Sequence, residues 1–269
     1  MPAPAHDAEA LLLHALRVRR ALLWAEPGTP LTAEQADRLE RLARERERRV
    51  PLQWLLGSLP FHGVTLEVRP GVFIPRPETE TLVEAAREAL LPRAQGLLLD
   101  LGTGTGAVAV ALLAALRGWR AVAVDRSVAA LELTARNAVR NGVAGRLFPA
   151  AGDFSDPGYD PPLGPFDAVL SNPPYIPSGV IASLEPEVRD YDPREALDGG
   201  ADGLDALRHL ARGICRWTRP GAFVALEIGA DQADPVGGMF GPFLDGIRVV
   251  ADLAGRPRVL TGWTRGRDA

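Results

Sequence analysis

Asn172-Pro173-Pro174-Tyr175 follows the apolar run Phe166–Ser171. An Asn side-chain oxygen and the carbonyl of the next residue can together accept both N–H bonds of one planar NH2 group, which orients the nitrogen lone pair. Two prolines keep that segment extended and out of a helix. The Tyr175 ring can cover the reacting nitrogen and lie beside a cation. A second group is Asp100-Leu101-Gly102-Thr103-Gly104-Thr105-Gly106, set between an apolar run and a helical pattern. Its glycines allow a tight turn and let a ligand approach a helix N-terminus without meeting a Cβ. Roughly 20 residues on, the next apolar run ends in Asp125, placed to accept from a ribose diol. By itself the glycine loop leaves two cofactors open. Gly102-x-Gly104-x-x-Ala107 satisfies the dinucleotide fingerprint, which allows NAD. Gly106 and the acidic Asp100 favour S-adenosyl-L-methionine, which lacks a pyrophosphate and carries cationic amino and sulfonium groups. Asn-Pro-Pro-Tyr at the same sheet edge decides for methyl transfer to an NH2 group.

These residues need elements to hold them. LLLDL at 97–101, AVAVD at 121–125, DAVLS at 167–171, FVALEI at 223–228 and IRVV at 247–250 alternate with helical patterns. Runs of that kind predict a mainly parallel sheet in an α/β layer fold. RVLTGW at 258–263 is close enough to its neighbour for an antiparallel pair. Upstream, leucine spacing predicts one amphipathic helix over 7–24 and a second opened by Thr32, with Gln35 completing a capping box, and closed by Pro51. That second helix carries Arg38, Arg41, Arg44, Arg46, Arg48 and Arg49, expected to form a solvated face diluted by Glu40, Glu45 and Glu47; the alternative is a docking surface for an RNA-associated partner. Alternation at Val64, Leu66 and Val68, a turn at Pro70-Gly71 and a return through Val72-Phe73-Ile74 predict a β-hairpin. The polar stretch 178–203 is expected to be a lid over the substrate channel.

Composition narrows the classes further. The chain has 269 residues, 46% hydrophobic and 24% charged, within the range of globular proteins and far from collagen or disordered chains. A formal charge of −4 gives no support to broad nucleic-acid or membrane binding. All 30 basic residues are Arg, read as a coding bias, and this removes Schiff-base and P-loop chemistry that needs Lys. Cys215 is the single cysteine, so no intramolecular disulfide or Cys-based zinc cluster can form, and it reads as a buried small hydrophobe. His6, His14 and His209 lack partners at metal spacing, so structural or surface roles are expected for them, and no metal. The N-terminal stretch is acidic and reads as no signal peptide. The apolar run at 107–116 is half the roughly 20 residues of a span, so it reads as a buried helix. A cytoplasmic monomer is expected.

With these residues in view, the chain resembles the protein-(glutamine N5) methyltransferases of the HemK/PrmC type, which act on peptide chain release factors. The resemblance runs through Pro51-Leu52-Gln53-Trp54 with Gly57, Phe61 and Gly63, Phe73-Ile74-Pro75-Arg76-Pro77-Glu78-Thr79-Glu80, Asp100–Gly106 and Asp125. It continues through Asn137, Asn141-Gly142, Gly152-Asp153-Phe154, Asn172–Tyr175, Glu185–Arg189, Ala196–Gly200, Gly221 and Glu227–Gly229. Asn-Pro-Pro-Tyr is shared with adenine N6 and RNA methyltransferases, whereas the Pro-Arg-Pro-Glu-Thr-Glu block is far more specific. Trp54 and His62 stand where the family usually has Tyr.

The resemblance implies a Rossmann-like class I methyltransferase fold, with a mostly parallel seven-stranded sheet, a small helical N-terminal domain and a linking β-hairpin. It divides the chain into a docking domain at 1–60, a linker at 61–75 and a catalytic domain at 76–269. It implies S-adenosyl-L-methionine held by Gly102, Thr103, Gly104, Thr105, Gly106, Asp125, Phe154 and Asn172. It assigns the chemistry to Asn172, Pro173 and Tyr175, and substrate contact to these with Pro174, Phe73 and Arg76. The implied substrate is the Gln of the Gly-Gly-Gln loop of a class I release factor, with no stable nucleic-acid binding and no membrane. Two other classes stay open: an amino-methyltransferase of nucleic acid or of another protein, and a non-catalytic binder of translation factors. Glu227, at a strand end, reads equally as a support for the site or a satisfied carboxylate.

Overall fold

The computed structural model describes residues 4–25 and 28–265. Four helices come first: α1 (Pro4–Leu16), α2 (Arg20–Ala25), α3 (Ala33–Glu47) and α4 (Leu52–Leu56). The single helix expected over 7–24 is broken at Arg17, whose backbone is left-handed (φ 57°). On a continuous helix Arg17 and Arg20, three residues apart, would face and repel each other. After the break, Arg20 reaches back to Glu9, with Nη2 at 2.9 Å. α3 opens as expected. Thr32 Oγ1 accepts from the Gln35 amide (3.2 Å), and Gln35 Oε1 accepts from the Thr32 amide (3.0 Å).

A hairpin follows, at a different place from the one expected. β1 (Ser58–Phe61) pairs with β2 (Val64–Glu67), and Phe61 faces Val64 across a two-residue turn. Both turn residues have positive φ, His62 at 40° and Gly63 at 81°, and such a turn follows the right-handed twist of the strands. The period-2 pattern at 64–68 therefore pairs backward with Ser58–Phe61. Pro70-Gly71 only redirects the chain, because residues 72–74 have no strand partner.

The rest alternates: α5 (Glu80–Leu90), β3 (Gly96–Leu101), α6 (Ala107–Ala115), β4 (Trp119–Asp125), α7 (Val128–Arg140), β5 (Leu147–Ala151), β6 (Phe166–Ser171), α8 (Pro186–Arg189), α9 (Asp205–Trp217), β7 (Thr218–Glu227), α10 (Ala233–Phe240), β8 (Leu244–Ala251) and β9 (Pro257–Thr264). Seven strands form one mixed sheet in the order β5-β4-β3-β6-β7-β9-β8; β9 runs antiparallel to both neighbours and the other pairs are parallel. β5 carries no strand signal in the sequence. It is an edge strand with Pro149 inside it and Phe148 exposed, a place where a missing N–H and a weak apolar pattern are tolerated.

Alternate strand residues feed two cores. Leu98, Ala121, Leu170 and Ala225 pack with Leu82, Leu90 and the apolar α6 on one face. Leu99, Val122, Val169 and Leu226 pack with Leu207, Leu210, Ile214, Val236 and Phe240 on the other. The run at 107–116 is thus a buried helix, and among the described residues no helix is long and apolar enough to cross a membrane. Cys215 is partly rather than fully buried.

Candidate active site

The chain leaves β3 for β4 on one side and later returns to β6 on the other, so the strand order reverses between β3 and β6. Open α/β sheets bind ligands outside the carboxyl ends of strands at such a point. Leu101 and Ser171, the last residues of β3 and β6, are in register, and Ser171 Oγ donates to the Leu101 carbonyl at 2.6 Å. The glycine loop and Asn172 are therefore neighbours for topological reasons.

A cavity of about 380 Å³ opens there. Phe73, Arg76, Gly102, Thr103, Gly104, Thr105, Asp125, Phe154 and Asn172–Tyr175 all line it. Gly106 is the exception: it caps α6 (φ 80°) and stands against Thr134, which a Cβ would meet at 3.0 Å. Thr79, Asp153 and His209 also line the cavity. α9 carries His209 to the cavity wall near Asp153.

The loop is held from behind. Amides of Gly102 and Thr103 donate to the Val124 carbonyl, both at 2.9 Å. Asp125 takes the Gly104 amide on Oδ2 and the Ser127 amide on Oδ1, each at 2.9 Å. Each oxygen keeps further lone-pair capacity for a diol. Asp100 lies beneath, accepting from Thr103 Oγ1 at 2.6 Å; burial pushes its pKa up to about 6. At Gly104 a Cβ would find no heavy atom within 4 Å, so the space beside the loop is open. Open space, backbone at the helix entrance and a diol acceptor fit a nucleoside-containing cofactor.

Across the cavity, Asn172 Nδ2 donates to Thr79 Oγ1 at 3.1 Å. Among the described residues neither Asn172 Oδ1 nor the Pro173 carbonyl receives a hydrogen bond. Tyr175 is fixed at both ends. Its carbonyl accepts from Gln232 Nε2 (3.0 Å) and its hydroxyl donates to Glu227 Oε1 (3.1 Å). Burial, then the Glu227 charge, raises the Tyr175 pKa well above that of a free phenol. Arg76 stacks over Phe73 (5.0 Å to the ring centre) and pairs with Asp192, whose pKa burial lifts to about 6 despite that guanidinium.

The stretch 178–203 is a strap tied down at several points. Ile176 bridges Asp198, Asp192 Oδ1 accepts from the Ile74 amide at 3.2 Å, and Pro193 and residues 195–198 help line the cavity. Its α8 also takes up part of the arginine cluster of α3. Arg46 is buried, with Nε 2.7 Å from Asp7 Oδ2 and Nη1 2.8 Å from Glu187 Oε1. Arg49 reaches Glu187 Oε1 (2.7 Å) and Glu185 Oε2 (2.9 Å). The expectation of a solvated face thus fails for these two residues, because acidic partners far along the chain neutralise them. Trp54 meets the strap as well, edge-on to Tyr191 with ring centres 5.5 Å apart, while His62 lies 3.0 Å from Glu84.

Thr79 and Glu227 join the site through packing that sequence spacing does not foretell. Thr79 lies inside the Pro-Arg-Pro-Glu-Thr-Glu block, and Glu227 ends β7 beside β6, but no spacing rule links either to Asn172.

Comparison with known proteins agrees with this geometry. The PrmC N-terminal domain family matches residues 1–57, and the methyltransferase small domain family matches residues 64–182. A release factor glutamine methyltransferase of Gloeobacter violaceus is 44% identical over 89% of this chain and 85% of its own length. That of Mycolicibacterium smegmatis is 43% identical over 96% of this chain and 90% of its own. Two solved structures share the fold at 15% identity: a methyltransferase from Pyrococcus furiosus (TM-score 0.53, covering 76% of this chain and 90% of that one), and the hMettl16 catalytic domain in complex with an RNA hairpin (TM-score 0.59, 77% and 78%). With a glycine loop and Asn-Pro-Pro-Tyr meeting at one sheet edge, and relatives this similar along nearly its whole length, the chain belongs to the release factor glutamine methyltransferases.

Proposed function

We propose that this protein transfers a methyl group from S-adenosyl-L-methionine to the side-chain amide nitrogen, N5, of the glutamine in the Gly-Gly-Gln loop of a class I release factor. The observation that carries the reading is the state of the Asn172 amide. Its NH2 end is committed to Thr79, leaving Oδ1 and the adjacent Pro173 carbonyl as two free acceptors at the cavity. A primary amide offers two coplanar N–H donors, which two such acceptors can hold together.

In this reading Gly102–Thr105 and Asp125 hold the cofactor, Gly106 shapes the loop by capping α6, and Phe154 flanks the adenine. When bound, the cofactor supplies an electrophilic methyl on a sulfonium. An amide nitrogen is a weak nucleophile, because its lone pair is delocalised. Asn172 and Pro173 therefore act by fixing the NH2 plane, and preorganised acceptors of that kind cost no reorganisation during reaction. Tyr175, Pro174 and Phe73 wall the amide, and Arg76 orders the entrance by its hold on Asp192. No strong base is required: methylation leaves the nitrogen cationic, and its proton passes to a carbonyl or water. Residues 1–60 would dock the protein substrate, 61–75 link, and 76–269 carry the chemistry.

The test is methyl transfer from labelled S-adenosyl-L-methionine to a purified class I release factor, beside the same factor with Gln→Ala in its Gly-Gly-Gln loop. Label is expected on the unaltered factor alone. Label on both or on neither would overturn the substrate assignment.

A further inference from the structure

We propose that Gln232 is a positioning residue for methyl transfer, clamping the end of Asn172–Tyr175 to the end of the strap and so holding the two acceptors of the substrate NH2 in place. The inference deepens the proposed function and rests on that reading of Asn172 and Pro173.

The segment Asn172–Tyr175 needs an anchor at its far end. Its start is fixed by β6, where Ser171 is in register with Leu101 and donates to its carbonyl. Residues 172–175 themselves belong to no helix or strand, and Pro173 and Pro174 have no N–H to give. A segment held at one end pivots, and a pivot carries Asn172 Oδ1 and the Pro173 carbonyl with it.

Gln232 supplies that anchor. It lies just before α10, is 6% exposed, and commits its whole side-chain amide to backbone partners. Oε1 accepts from the Gly229 amide at 2.8 Å, and Nε2 donates to the carbonyls of Tyr175 (3.0 Å) and Gly203 (3.2 Å). The Gln232 backbone amide donates to the Gly229 carbonyl at 3.0 Å, which closes the turn after β7 and fixes where the side chain starts. A backbone N–H only donates and a carbonyl only accepts, so these partners admit one orientation of the amide. Among the described residues the Tyr175 carbonyl receives no other hydrogen bond. Gly203 shows how close the junction is. Its φ is 77°, and a Cβ there would collide with both the Tyr175 carbonyl and Gln232 Nε2. Next to it the strap is zipped to the chain that follows Tyr175. The Ile176 amide donates to the Leu197 carbonyl (3.0 Å), and the amides of Gly199 and Ser178 donate to the carbonyls of Ile176 and Gly200 (both 2.9 Å). One neutral side chain thus joins the turn after β7, the end of the strap and the segment that bears both acceptors.

Single-turnover methyl transfer from labelled S-adenosyl-L-methionine to a release factor tests this, with the full chain in excess and its concentration varied. A smaller folded fraction raises the concentration needed for half-saturation and leaves the maximal rate alone. Misaligned acceptors lower the maximal rate itself. Gln232→Glu keeps the acceptor for Gly229 and leaves at most one proton to share between two carbonyls. Gln232→Met keeps the length and removes every side-chain hydrogen bond. Each should lower the maximal rate roughly 10- to 100-fold, the scale of a misplaced reacting group, with half-saturation and calorimetric cofactor affinity within about threefold of wild type. If Gln232→Glu does not fold, Gln232→Met decides. A wild-type maximal rate in Gln232→Met, with any loss confined to half-saturation, overturns the positioning role and leaves the substrate assignment intact. No transfer by the wild type overturns the substrate assignment, and this inference with it.

Discussion

Among single residues, the loop from Gly102 to Gly106 divides into two kinds of glycine. Gly104 has φ 56°, gives its amide to Asp125 and borders open space; Gly106 has φ 80° and is pressed against Thr134. Gly104→Ala should cost about 1 kcal/mol of stability for the left-handed backbone. Its added methyl, projecting where a ligand must approach, should weaken S-adenosyl-L-methionine binding by at least about tenfold, or 1.4 kcal/mol. Thermal melting and calorimetry separate the two effects. Lost stability with unchanged affinity would mean that the cofactor lies elsewhere.

Between elements, Asn137 of α7 and Asn141, which caps the end of that helix, dock the hairpin. Asn137 is fully buried; its Oδ1 accepts from the Glu67 amide at 2.7 Å, and its Nδ2 donates to the carbonyls of Glu67 (3.1 Å) and Thr105 (2.9 Å). Asn141 repeats the pattern at Thr65, at 3.2 and 3.0 Å. Four residues apart, they sit on one face of the helix and complete the exposed edge of β2 as a neighbouring strand would. Asn137 also ties that edge to the glycine loop. Asn137→Ala should strand three backbone groups and cost roughly 2–3 kcal/mol, read as a lower midpoint in urea unfolding with an unchanged m-value. A loss under about 0.5 kcal/mol would show that water replaces the amide without penalty.

Across the molecule as a whole, the helical N-terminal region is joined to the cavity wall by charge. Asp7 and Glu187 approach the buried Arg46 from α1 and from α8 of the strap, and Tyr191 Oη donates to the Arg48 carbonyl at 2.9 Å. Burial works against the Glu187 charge, but the hydrogen bonds from Arg49 and Arg46 outweigh it and hold its pKa to about 2, below its ordinary 4.5. A carboxyl depressed on folding stabilises the fold fully above its unfolded pKa, and that contribution is lost as pH falls through the folded value. The Glu187 contribution should therefore be complete above about pH 4.5 and fade toward pH 2. Glu187→Gln, which leaves Arg46 only Asp7 and the Val50 carbonyl, should cost roughly 1.5–3 kcal/mol at neutral pH. The gap between wild type and variant should close as the pH is lowered across that window. A gap independent of pH would mean that the charge of Glu187 is not what holds the strap.

Much of this architecture is legible in the chain alone, wherever local rules govern it. Thr32 and Gln35 specify a capping box because its partners lie three residues apart. Alternating apolar runs and helical patterns specify a doubly covered sheet, and a glycine loop after one strand with Asn-Pro-Pro-Tyr after another specifies a ligand edge. Folding in three dimensions chose whatever depends on which distant surfaces meet. Val64–Val68 carries the same alternation whichever neighbour it pairs with, so only the turn at His62-Gly63 selects β1. Leu147–Ala151 becomes a strand because β4 offers it an edge. Arg46 and Arg49 read as a solvated face until the fold sets Glu185 and Glu187 against them. Thr79 likewise reaches Asn172, and Glu227 reaches Tyr175, only when the start of α5 and the end of β7 converge on the segment after β6. Spacing along the chain carries the period of an element, and the partners of a buried polar group are chosen by packing across the molecule.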